Sequence, residues 1–121
     1  MRNLLLVLAA YHLGLGLLMV VAPGTFFDEL ASYGAQNDHY IRDNATINLA
    51  FAAGLAIAAG RASWRAPVLA VIGLQYAFHV INHVFDAGET DPGWQGPFAV
   101  VSLALLGALV AWLWRRAETE R

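Results

Sequence analysis

The sequence predicts an all-α fold, a four-helix transmembrane bundle of up-down topology with a short interfacial segment after helix 1. Three observations carry that prediction. Only 13% of the 121 residues are charged while 59% are hydrophobic, against roughly 25% charged in soluble domains. Four stretches, about 4–22, 39–60, 66–85 and 97–114, approach the ~20 residues a spanning helix needs. The arginines between them fall almost entirely on one side. A soluble chain this small could not cover so much apolar surface, because small domains leave most of their residues near water. No polar linker divides the chain, so residues 1–121 read as a single integral membrane domain.

The first span is an unbroken apolar run, LLLVLAAYHLGLGLLMVVA, stopped by Pro23-Gly24. Arg2 before such a run has the layout of a signal peptide. The only small-residue cleavage point, after Ala22, would place Pro23 directly behind it, so the helix is expected to stay uncleaved. Residues 25–34 set Phe26, Phe27 and Leu30 beside Asp28 and Glu29, a pattern for a short helix at the interface ended by Gly34.

Asn37 and Asp38 are good caps for the second span. Its Ala50, Gly54 and Ala58 repeat at four-residue intervals, a face on which another helix can pack closely. Residues 61–65 form a very short turn, and Pro67 suits the first turn of the third span. The acidic, glycine-rich segment 86–96 is turn-like, and Pro97 opens the fourth span through Trp114. The tail from Arg115 to Arg121 is polar and expected to fray.

Arg2, Arg61, Arg65, Arg115, Arg116 and Arg121 share one side, with Arg42 alone on the other. The positive-inside rule places the first group, and both termini, in the cytoplasm of a multi-pass inner (plasma) membrane protein. Trp64, Trp94, Trp112 and Trp114 fall near the predicted membrane boundaries, as interfacial belts require.

With no cysteine in the chain, disulfides, thiolate chemistry and cysteine-ligated clusters are excluded. A formal charge of −2 with no basic run excludes nucleic acid as a partner. The lipid bilayer is the expected partner, with a homo-oligomer or a membrane partner subunit as the protein-level alternative.

Polar residues inside the spans are costly in lipid and face the bundle interior. They are His12 in the first span, Asp43, Asn44, Thr46 and Asn48 in the second, and Gln75, His79, Asn82 and His83 in the third. Gln75, His79, His83 and Asp86 are spaced by four, four and three residues, so one helical face carries an amide, two imidazoles and a carboxylate. At ~1.5 Å per residue, His39, Asp43, His83 and Asp86 sit near the outer interface and His12 and Gln75 near the midplane. This is a funnel open to the outside, narrowing toward His12, Tyr11 and Gln75 and roofed by residues 24–36.

Several readings compete for it. The histidines can simply bond neighbouring groups and fix packing. Two imidazoles at i, i+4 with His39, Asp43 and Asp86 could instead hold zinc, iron or manganese; a metal-activated water would then make a hydrolase-like site. A metal-free pocket could use His12, Arg42, Asn44, Asn48, Gln75 and Asn82 to bind a small ligand or to relay protons. A haem held between His12 and His79 or His83 is the remaining option. Whether the chain is an enzyme stays open on these residues. The reading adopted is an outward-facing His/Asp/Asn pocket for a divalent metal or small ligand. The alternative is an accessory membrane subunit acting through helix association.

The stretches Tyr33-Gly34, Asn37-Asp38-His39-Tyr40-Ile41-Arg42-Asp43 and His79-Val-Ile-Asn82-His83-Val-Phe-Asp86, set among four spans, resemble a group of small uncharacterised bacterial integral membrane proteins, loosely DoxX-like in size and topology. The resemblance implies a four-helix membrane bundle and carries over no catalytic residue.

Overall fold

The computed structural model describes residues 1–120 and is all-helical, with no strand among them. Five helices follow one another: α1 (Arg2–Val21), α2 (Pro23–Leu30), α3 (Asp38–Gly60), α4 (Ala62–Asp86) and α5 (Gln95–Thr119). Three of them, α1, α4 and α5, are long and apolar enough to cross a membrane. At 23 residues α3 has the length as well. Asp43, Asn44, Thr46 and Asn48 in its first half make it too polar to join that group.

Local chemistry sets the boundaries. Ala22 closes α1 through its N–H on the Leu18 carbonyl, 2.8 Å away, and also precedes Pro23, the first residue of α2. Proline is tolerated there because that N–H has no helical partner. The expected cap of α3 is Asn37, whose Oδ1 accepts the Tyr40 N–H at 3.1 Å. Gly34, with φ +61°, turns the chain in the loop after α2 rather than ending that helix.

Two boundaries depart from expectation. The turn between α3 and α4 is Arg61 alone, so α4 starts at Ala62 and Pro67 lies inside it. Arg65 holds this tight junction, its Nε donating to the Ala58 carbonyl at 3.4 Å and its Nη1 pairing with Glu120 at 3.3 Å. That pair and buried Ala117 also explain why the tail does not fray but stays helical to Thr119. Arg121 lies outside the described residues.

Packing joins α1 to α3 and α4 to α5 along their lengths, with α3 and α4 meeting less extensively. Gly16 lets α1 approach α3, since a Cβ there would sit 2.9 Å from Leu49 and 3.3 Å from the Ala45 carbonyl. The Ala50–Gly54–Ala58 repeat is not an open docking face. Ala58 is fully buried, Gly54 faces Val68 of α4, and only Ala50 is exposed.

The main core holds Leu5, Leu8, Leu55, Leu69, Ile72, Val110 and Leu113, uniting the start of α1, the end of α3, the first half of α4 and the end of α5. At the opposite end the apolar cluster of Met19, Ile41 and Ala45, backed by Phe26 and Phe27, involves only α1, α2 and α3. The two helix pairs are therefore welded at one end and part at the other.

Candidate functional site

The space where the pairs part is a cavity of about 400 Å³ lined by side chains from every helix. Its closed floor is a hydrogen-bonded group around buried His12 of α1. His12 Nδ1 lies 2.9 Å from Asn48 Oδ1 of α3, and its Nε2 lies 3.2 Å from the Tyr76 hydroxyl of α4. With the Asn48 amide in this orientation, Nδ1–H donates and Nε2 accepts the tyrosine proton. Tyr11 and Phe51 meet the same imidazole edge to face, with centroids 5.2 and 5.4 Å away. Both ring nitrogens of His12 are engaged, so the residue weighed as a haem ligand is already committed to its protein partners.

One wall is the predicted face of α4. Gln75 Nε2–H donates to His79 Nδ1 at 3.4 Å, and the His79 and His83 rings stack with centroids 4.7 Å apart. Above them the Tyr33 hydroxyl meets His83 Nδ1 at 2.7 Å. Burial first, and then the neighbouring Asp86 carboxylate, push the Tyr33 phenol above its ordinary range, so it stays protonated and donates. Each imidazole of the pair thus accepts at Nδ1 and carries its own proton on Nε2.

The five residues of the metal expectation are not brought together. His79, His83 and Asp86 line the cavity, whereas His39 and Asp43 do not. Those two form a pair 3.4 Å apart on the outside of α3, with side chains 88% and 66% exposed. Among the described residues no three histidine, aspartate or glutamate side chains are grouped to hold a metal ion. The face of α3 turned inward is set by Ile41, Ala45 and Asn48, which carries His39 and Asp43 away from α4.

The ligand-pocket expectation fares differently. His12, Asn44, Asn48, Gln75 and Asn82 all line the cavity. Arg42 does not; it is exposed and pairs with Asp38 at 3.9 Å.

Sequence reasoning placed a roof at residues 24–36 but missed the clamp that holds it. The end of α2 and Ser32 are clamped to the start of α5 by Gln95, which is 1% exposed. Gln95 Oε1 accepts the Ser32 N–H at 2.9 Å, and its Nε2 donates to the Asp28 carbonyl at 2.7 Å. The Ser32 hydroxyl lies 2.5 Å from the Asp91 carbonyl, and a backbone bridge joins Tyr33 to Thr90. Gly96 donates its N–H to Thr90 Oγ1 at 3.0 Å and passes so close to Ala87 that a Cβ would fall 2.0 Å from the Ala87 carbonyl oxygen. Phe26 and Phe27, expected at the membrane surface, line the cavity under this roof, as does Tyr33. The available signal was a glutamine at the start of an apolar helix, where a lipid-facing residue would be apolar.

Comparison with protein-family models, curated proteins and solved structures finds no match for this chain.

Proposed function

We propose that this protein is a four-span membrane protein, α1, α3, α4 and α5 crossing the bilayer with both termini cytoplasmic, that binds a small amphipathic organic molecule in its outward-facing cavity. The observation that carries the reading is the cavity itself. It is lined by all the helices, has the size of a small-molecule site, and has a floor whose polar groups satisfy one another and so need no metal or water to complete them. Arginine placement and the resemblance to small four-span membrane proteins support the membrane assignment. So does the band of exposed leucine, valine and phenylalanine on α1, α4 and α5. α3 spans at the cost of its polar first turns, with Asp38 and Arg42 neutralising each other near the interface.

Binding of benzyl alcohol to the purified protein tests this. A ligand that binds only the folded state raises stability by RT ln(1 + [L]/Kd), about 2.7 kcal/mol at a hundredfold excess over Kd. The wild type should gain thermal stability with benzyl alcohol, and Ser102→Phe, which fills the cavity, should not. Equal responses in the two proteins would dismiss the binding role.

A further inference from the structure

Resting on that binding reading, we infer that the cavity's ligand is a small organic cation, an alkyl or benzyl ammonium, with its charged head beside Asp86 and its apolar body toward His12. The inference follows from where uncommitted polarity lies. The floor trio of His12, Asn48 and Tyr76 is internally bonded and offers a ligand ring edges and faces rather than free polar groups. The Gln75–His79–His83–Tyr33 ladder is bonded in the same internal way.

Asp86 differs. It is the one carboxylate lining the cavity and sits half-buried at its mouth, and its side chain has neither an ion-pair partner nor a hydrogen bond among the described residues. No arginine lines the cavity, and the chain has no lysine at all. The lining therefore combines an unneutralised negative charge with aromatic side chains, among them Phe26, Phe27, Tyr33, Tyr40, Phe51 and Tyr76. Aromatic rings around a desolvated ammonium attract it through their quadrupoles, and the carboxylate completes the charge balance.

The same inventory disfavours other heads. A carboxylate or phosphate would meet Asp86 with no cation to receive it. For that reason a zwitterionic lipid headgroup is also a poor occupant, since its phosphate would follow its ammonium into the mouth.

Three probes sharing one ring separate the cases: benzyltrimethylammonium, benzyl alcohol and benzoate, each titrated calorimetrically into wild type, Asp86→Asn, Asp86→Glu and Ser102→Phe. The cation should bind tightest. Its affinity should fall about tenfold or more in Asp86→Asn, equivalent to 1.4 kcal/mol, and return in Asp86→Glu, while benzyl alcohol is indifferent to both. If benzyl alcohol or benzoate binds as tightly as the cation and Asp86→Asn changes nothing, the cation assignment is overturned and the pocket stands. If none of the three binds, or if all bind equally to Ser102→Phe, the pocket reading falls and the assignment with it.

Discussion

Gln95 shows how a single side chain can join two loops that the chain order keeps far apart. It sits 63 residues from Ser32, and both ends of its amide are bonded in a place water does not reach. Gln95→Ala strands the buried Ser32 N–H, and stranding a buried group costs about 1–3 kcal/mol. Thermal unfolding should show that loss; an unchanged midpoint would mean the roof is not held by this residue.

Tyr33 makes a second prediction at this scale. Its phenol is raised above 10.0 by burial and by Asp86. The folded state therefore holds the proton more tightly than the unfolded one, so this contribution to stability is complete below pH 10 and is lost as pH rises through the folded value. The phenolate signal that Tyr33→Phe removes should develop above pH 10, and Asp86→Asn should bring it closer to the ordinary value. A Tyr33 titration at or below 10 in the wild type would contradict the assigned contacts.

The wall and floor residues were legible in the sequence because a polar side chain within an apolar helix has few tolerable places. His12, Asn48, Gln75, His79 and His83 stood out on that ground alone. Their partners were less legible. His39 and Asp43 share a helical face, but periodicity does not say which face turns inward, and Ile41 with Ala45 decided it. Tyr33, Ser32 and Gln95 meet only through tertiary structure, and nothing in their local spacing announces it.

At the scale of elements, glycines fix two close approaches. Gly96 cannot accept a methyl group without displacing the Ala87 carbonyl, so Gly96→Ala should cost about 3 kcal/mol through overpacking and backbone shift. Gly14, half a turn from Gly16 on α1, where an added Cβ would meet nothing within 4 Å, supplies the control. Gly16→Leu should destabilise the α1–α3 pair while Gly14→Leu leaves it intact, a difference readable in denaturant midpoints; equal effects would show that α1 does not pack on Leu49 as described. Gly54→Leu would press on Val68 within the chain, so its effect belongs to internal stability rather than to assembly.

The helices themselves were readable from apolar runs and from Asn37, Pro23 and the glycine-rich segment 86–96. The early start of α4 and the late end of α5 were not. Both depend on Arg65 reaching the Ala58 carbonyl and Glu120, contacts that residue order does not reveal.

For the whole molecule, the organising feature is the asymmetry between a welded end and a parted end. Leucine, valine and alanine close the arginine-bearing end, where Trp112 stacks beneath the Arg116 guanidinium at 4.9 Å. At the other end, α2 and the Gln95-clamped loops cover a space that no apolar side chain fills. Under the proposed topology that difference would give the molecule a direction, with the sealed end cytoplasmic and the mouth at Asp86 and Asn82 outward.

The chain's lack of cysteine makes that direction measurable with single substitutions. Ser102 lines the cavity and its hydroxyl, among the described residues, bonds only the Ala99 carbonyl of its own helix, so Ser102→Cys places one thiol inside with little disturbance. The decisive measurement is its rate of modification by a small membrane-impermeant thiol reagent in right-side-out and inside-out vesicles. The proposed architecture predicts fast modification from the outer face, slowed by benzyl alcohol, and none from the cytoplasmic face. Modification from the cytoplasmic face alone, or an outer-face rate that benzyl alcohol leaves unchanged, would contradict it.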